Sequence, residues 1–261
     1  MALINSFEKN GNILFKYRGQ IPLFIFILGL PFLYVSYYTD YYAVFYAGLS
    51  QKFWTAIAVS SILISLLGVM VRAYTIGTTP GGTSGRNTQK QIAEELNVSG
   101  IYSVVRHPLY LGNYLMWAGL LVFMANVPLF IIASLIFWLY YERIMFAEER
   151  FLEKQFGEKY LQWSMLVPAI VPSLRKFKKG NIPFSFKSVL RREYSGVFAI
   201  ILCFTLVDYL RYAASVYQEN IPNPSWIRIS LICTPAMFLI MIILRTLKHH
   251  TSLLNSDENR D

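Results

Sequence analysis

Charged residues are scarce in this chain. Asp, Glu, Lys and Arg make up 15% of its 261 residues, where a soluble domain carries about 25%. With 55% apolar residues and a mean hydropathy of +0.41, that deficit excludes a soluble globular protein. Cysteine is nearly absent. Cys203 and Cys233 both fall within apolar runs, so they read as small buried hydrophobes. Neither a disulfide framework nor a zinc site has the residues it needs. Two of the three histidines, His249 and His250, read as tail residues, and no metal is expected. The first twenty residues lack the apolar core of a cleaved signal, being interrupted by Glu8, Lys9, Lys16 and Arg18. The first apolar run is therefore expected to be a retained span.

What the chain has in abundance is apolar runs of spanning length. Six are read as transmembrane helices: Ile21–Tyr38, Phe53–Val71, Leu109–Ala125, Pro128–Tyr141, Tyr194–Leu210 and Ile229–Leu244. Lipid cannot satisfy bare backbone groups, so each must be helical. Asn126, Val127 and Pro128 make a tight turn between the third and fourth. With this division, 21 of the 24 Lys and Arg fall on one side, and only Lys52, Arg211 and Arg228 on the other. The asymmetry predicts that both termini are cytoplasmic. It also accounts for the net charge of +9 without a nucleic-acid partner, because cytoplasmic loops face anionic lipid. Asp208 and Arg211, three apart near a span end, are expected to form a structural ion pair. Neither internal repeats nor ionisable residues deep in several spans are seen, which argues against a transporter.

Two polar segments lie on the basic side. The first, Tyr74–His107, holds the stretch Gly81-Gly82-Thr83-Ser84-Gly85-Arg86. It is either a flexible linker or an anion-binding nest; with no strand before it, it is not a nucleotide fingerprint. The second, Glu142–Arg192, begins as a helix with Leu152, Phe156 and Tyr160 on one face. Gly157, Pro168 and Pro172 weaken and end it. Between the two segments, Arg106 and His107 precede Pro108, which suits a first helical turn. A cation and an imidazole thus stand at a helix N-terminus, where backbone N–H groups are free. Gly112 and Gly119, two turns apart, would let a neighbouring helix or a flat ligand come close.

The run Gly100-Ile101-Tyr102, then Arg106-His107-Pro108-Leu109-Tyr110-Leu111-Gly112, resembles the G-x-Y-x-x-x-R-H-P-x-Y-x-G signature of the isoprenylcysteine carboxyl methyltransferase and phospholipid methyltransferase family. A second resemblance follows in order. Glu148-Glu149-Arg150-Phe151-Leu152 leads to Phe156-Gly157-Glu158-Lys159-Tyr160, Trp163 and Pro168, similar to the family's E-E-x-x-L, F-G-x-x-Y-x-x-Y and proline. Trp163 stands where a second tyrosine is usual. The resemblance covers about Phe53 to Pro172.

The resemblance implies an all-α, polytopic membrane enzyme that moves a methyl group from S-adenosylmethionine to a membrane lipid or lipidated acceptor. It implies that Tyr102, His107, Pro108, Tyr110, Leu111 and Gly112 line the cofactor, and that Glu148 and Glu149 contact its polar or cationic part. Arg106, His107 and Glu149 are the expected catalytic residues. Arg86, Asn113 and Arg150 are the expected acceptor-binding residues, since Arg matches carboxylate and phosphate. Each has a blander reading: Arg150 as a snorkelling side chain, Asn113 as a helix-to-helix hydrogen bond, Glu148 as a solvated helix face. In-line methyl transfer depends on positioning, so an anionic acceptor needs no general base. The acceptor stays open between a prenylcysteine carboxylate, a phosphatidylethanolamine amine and a lipid phosphate. If the glycine-rich stretch binds an anion, the chain looks more like the bacterial branch that methylates a lipid phosphate, such as that of lipid A. The chain then divides into an N-terminal segment with the first span (1–52), a methyltransferase core (53–172) and a two-span extension (173–261). Its expected place is a bacterial inner membrane, with the site on the cytoplasmic side. A non-catalytic lipid-binding protein is the alternative of another class.

Overall fold

Each apolar run closes its own backbone hydrogen bonds, and the result is a bundle of helices. The computed structural model describes residues 2–39, 50–80, 91, 93–217 and 226–255. Among them no strand forms; the nearest thing is an isolated bridge between Gly100 and Lys178. The helices are α1 (Leu3–Lys16), α2 (Ile21–Tyr38), α3 (Gln51–Thr78), α4 (Pro108–Phe123), α5 (Val127–Phe156), α6 (Glu158–Leu166), α7 (Phe186–Tyr217) and α8 (Ile227–His250). Five of them, α2, α3, α5, α7 and α8, are long and apolar enough to cross a membrane. The sixth expected span, α4, is apolar but only 16 residues long, about 24 Å at 1.5 Å per residue. This is an integral membrane protein. Its outward faces carry large apolar side chains such as Leu63, Leu135 and Ile232, as lipid requires.

Several helices outrun their apolar stretches. The apolar run ends near Tyr141 and the helix expected from Glu142 continues it, so that α5 is unbroken through 30 residues. That is about 45 Å, so its last turns clear a hydrocarbon core of about 30 Å. Asn126 starts α5 by accepting a hydrogen bond from the Leu129 N–H at 2.9 Å, a side-chain N-cap. Gly157, at φ +54°, stops it, in a conformation that glycine reaches at little cost. N-terminal to the first span α1 forms, and packs Gly11 and Phe15 against α5. Its Phe7 ring lies under the Arg143 guanidinium, 3.3 Å from the centroid.

The tightest packing joins α3 to α4. A Cβ on Gly68 would sit 2.6 Å from the Gly112 carbonyl oxygen, and one on Gly119 would strike Ser65 and the Ser61 carbonyl. The glycine face of α4 therefore receives a neighbouring helix. Ser65 Oγ donates to the Met116 carbonyl across this seam at 2.7 Å. Leu33, Tyr37, Trp54, Leu120, Met124 and Val207 then fill a core shared by α2, α3, α4 and α7. Arg211 enters that core and donates to the Phe123 carbonyl at the end of α4, and to Tyr37 Oη at 3.3 Å. Asp208 accepts from Ser230 of α8 at 2.8 Å. Each of the two bridges to a neighbouring helix in place of the expected direct ion pair. Cys203 is buried as expected, but Cys233 is exposed on α8.

Candidate functional site

The loop before α4 is held by the chain that follows α6. Arg106 N–H donates to the Pro168 carbonyl at 2.9 Å and His107 N–H to that of Ala169 at 3.1 Å. Ser173 N–H donates to the Val104 carbonyl at 2.9 Å. Trp163 Nε1 adds a bond to the Tyr102 carbonyl at 3.2 Å. The proline and tryptophan of the second motif thus anchor the backbone of the first.

Because α5 runs past the start of α4, two carboxylates stand beside the Arg106–His107 turn. Glu149 Oε1 lies 2.9 Å from His107 Nε2 and 3.0 Å from an Arg106 guanidinium nitrogen. Glu148 Oε2 lies 3.6 Å from His107 Nδ1. The second Arg106 terminal nitrogen donates to the Ser164 carbonyl at 2.6 Å. His107 is only 6% exposed. Burial alone would lower its pKa, but hydrogen bonds and charge from Glu148 and Glu149 outweigh it and raise the imidazole above the ordinary histidine value. When the ring is protonated, one N–H faces each carboxylate. Tyr110 stacks on the imidazole at 5.7 Å between centroids. Burial, with the charge of Glu148, pushes the Tyr102 phenol well up, so it stays neutral.

These groups open onto a cavity of about 610 Å³, within the usual range for a small-molecule site. Tyr102, Arg106, His107, Pro108, Tyr110, Asn113, Glu148 and Glu149 all line it. Leu111, Gly112 and Arg150 do not. Gly112 faces the Gly68 backbone and the Arg72 side chain, and Arg150 pairs with Glu153 at 2.6 Å. Arg86 and the Gly81–Arg86 stretch lie outside the described residues.

The cavity also has walls that reading by motif missed. Arg18, Arg72, Arg191, Arg192 and Glu193 line it. Arg72 and Glu193 form a two-pronged ion pair, 2.7 Å at each contact. Arg72 Nη1 also donates to Asn113 Oδ1 at 2.5 Å, and Asn113 Nδ2 donates to Tyr141 Oη at 2.9 Å. Tyr141 in turn donates to the Arg18 carbonyl at 3.2 Å. The one signal in the sequence was an acidic residue at the start of an apolar run. No spacing rule links it to an arginine on another span. Away from the charges, Leu23, Met116, Trp117, Ala199 and Ile200 make an apolar end.

Residues 53–159 match the family model described as phospholipid methyltransferase. Over 134 residues the chain is 34% identical to protein-S-isoprenylcysteine O-methyltransferase B of Arabidopsis thaliana, covering 49% of this chain and 65% of that one. It is 27% identical over 138 residues to protein-S-isoprenylcysteine O-methyltransferase of Rattus norvegicus, covering 52% and 48%. It is also 30% identical over 127 residues to the cobalt-zinc-cadmium resistance protein CzcN of Cupriavidus metallidurans, covering 48% and 56%. The chain thus spans less than two thirds of the length of each of these relatives. No solved structure matches it.

Proposed function

We propose that this protein, whose residues 53–159 match the family model described as phospholipid methyltransferase, transfers a methyl group from S-adenosylmethionine to an amphiphilic acceptor held in the membrane. Methyltransferases of this family generally use that donor. The observation that carries the reading is the two-ended cavity. Its polar end gathers residues of both motifs and its apolar end lies among spanning helices. A lipid or lipidated acceptor presents the same two ends.

The residues fit the donor. Glu149 is engaged by both Arg106 and His107, whereas Glu148 faces only the His107 ring, at 3.6 Å. Glu148 is the carboxylate not bound to Arg106, and Tyr102 and Tyr110 offer aromatic faces beside it for a cation. When bound, the donor supplies an electrophilic methyl carbon: its S–CH3 bond breaks, a bond to the acceptor atom forms, and the sulfur leaves neutral. The chain's own residues then bind, orient and exclude water, which is most of what such a displacement asks. Arg106, His107 and Glu149 hold the loop, α4 and α5 in one geometry. Asn113 holds Arg72 at the acceptor side. The concentration of Lys and Arg on this side supports a cytoplasmic site, and both motifs lie within the core at 53–172.

The test has two parts. Purified protein is titrated with S-adenosylhomocysteine, and radiolabelled methyl transfer into a lipid extract is followed, with wild type beside Glu148→Gln, Glu149→Ala and His107→Ala. Saturable binding and label in a lipid fraction, both reduced in the variants, are expected. A folded wild type that does not bind S-adenosylhomocysteine ends this reading in favour of a non-catalytic lipid-binding protein.

A further inference from the structure

The chain between α6 and α7, residues 167–185, forms a strap outside the cavity: none of the described residues 164–190 lines it. Its backbone is fastened at one level of the bundle. The Pro168 and Ala169 carbonyls accept from Arg106 and His107, just before α4 begins. Lys178 N–H donates to Ser103 Oγ at 2.8 Å, and the Lys178 carbonyl accepts from Gly100 N–H at 2.8 Å. Ser185 N–H donates to the Gly77 carbonyl at 2.9 Å, next to the end of α3, and α7 starts at the following residue. The strap therefore crosses the ends of α3, α4 and α7 on one side of the bundle, where the apolar helices stop.

Two kinds of side chain stand out from the strap. Val171 is 77% exposed and Leu174 76%. A single 3-10 turn, Leu174–Lys176, sets the exposed Phe177 one turn from Leu174. Apolar groups of this size, clustered and exposed, mark a surface that meets another. Arg175, Lys178 and Lys179 are exposed beside them, and among the described residues none of the three enters an ion pair. No carboxylate side chain occurs between Glu158 and Glu193 to offset them. An acidic soluble protein would suit the charges alone. The strap, however, lies where the apolar helices end, and headgroups occupy that level. Cations there reach phosphates while their stems and the apolar side chains lie among acyl chains. We propose that the strap is a docking surface for anionic phospholipid of the adjoining leaflet. Val171, Leu174 and Phe177 enter the acyl region, and Arg175, Lys178 and Lys179 meet the phosphates. Lipid that binds the docked strap, and not the opened one, stabilises its hydrogen bonds by mass action. The Arg106–His107 turn is therefore held by the leaflet as well as by the fold. This surface is independent of any reaction in the cavity.

The experiment places the full chain in nanodiscs of phosphatidylcholine, alone or mixed with phosphatidylglycerol, and follows amide hydrogen exchange. Wild type is compared with Arg175→Gln/Lys178→Gln/Lys179→Gln and with Leu174→Ser/Phe177→Ser. We expect the wild-type stretches 100–107 and 168–178 to exchange about fivefold more slowly with phosphatidylglycerol, the effect of one lysine at an anionic surface. High salt should remove the gain, because it screens exposed charge. Neither variant should show the gain, while α5 exchanges alike in all three proteins. Equal wild-type exchange in the two discs overturns the proposal and turns the search to an acidic protein partner. A gain that survives high salt, or that either variant keeps, overturns it as well. The wild-type comparison between discs and salts needs no substitution, so a variant that misfolds leaves the test intact.

Discussion

Arg72 of α3 and Glu193 of α7, 121 positions apart, meet in a two-pronged ion pair on the wall of the cavity. The Glu193 side chain is 5% exposed and that of Arg72 20%. The pair clamps the C-terminal helices onto the part of the chain that carries the motifs. Breaking a buried pair from one side leaves the other charge uncompensated, at a cost of about 3–5 kcal/mol. Glu193→Gln should therefore lower the thermal unfolding midpoint in detergent sharply. Arg72→Met/Glu193→Met should recover part of that loss, because a buried pair replaced whole is often close to neutral. A double variant no more stable than the worse single one would show that the pair is not the unit.

Asn113 is the next link in that network, since it accepts from Arg72 and donates to Tyr141. Asn113→Leu leaves an Arg72 guanidinium nitrogen without this partner, for about 1–3 kcal/mol, while Tyr141 keeps its bond to the Arg18 carbonyl. We expect lower thermal stability than wild type with S-adenosylhomocysteine binding retained. Full retention of stability would mean that water replaces the amide.

The His107 imidazolium gives a pH signature. Its pKa is raised on folding by Glu148 and Glu149, so the stability it contributes is fully present below the unfolded value of about 6.5. That contribution is lost as pH rises through the higher folded value. The unfolding midpoint of wild type should therefore decline as pH rises above about 6.5, relative to His107→Gln, whose profile should be flatter. Parallel profiles for the two proteins would show that another group titrates.

The α3–α4 seam makes a steric prediction. Even one methyl group on Gly119 would collide with Ser65 and the Ser61 backbone. Gly119→Ala should cost on the order of 1–3 kcal/mol. Gly196→Ala, where nothing lies within 4 Å, should be stable; comparing their unfolding midpoints checks both. Equal midpoints would mean that the helices part without penalty.

The sequence by itself determined the spans and the two motifs. A bilayer offers the backbone no partner, so apolar runs such as Ile21–Tyr38 can only be helices, and their sorting by charge follows from lipid electrostatics. The resemblance to the methyltransferase family likewise implied that Tyr102, His107, Glu148 and Glu149 share one site. Only the tertiary structure decided that Gly112 serves helix packing and that Arg150 turns to Glu153. It alone brought Arg72 to Glu193 and made α7 a wall of the cavity. Periodicity reports which face of a helix is apolar, not which distant helix will cover it. A charge at a span end reads alike whether it faces lipid headgroups or a cavity. That choice is made by the packing of several helices at once, and no local pattern encodes it.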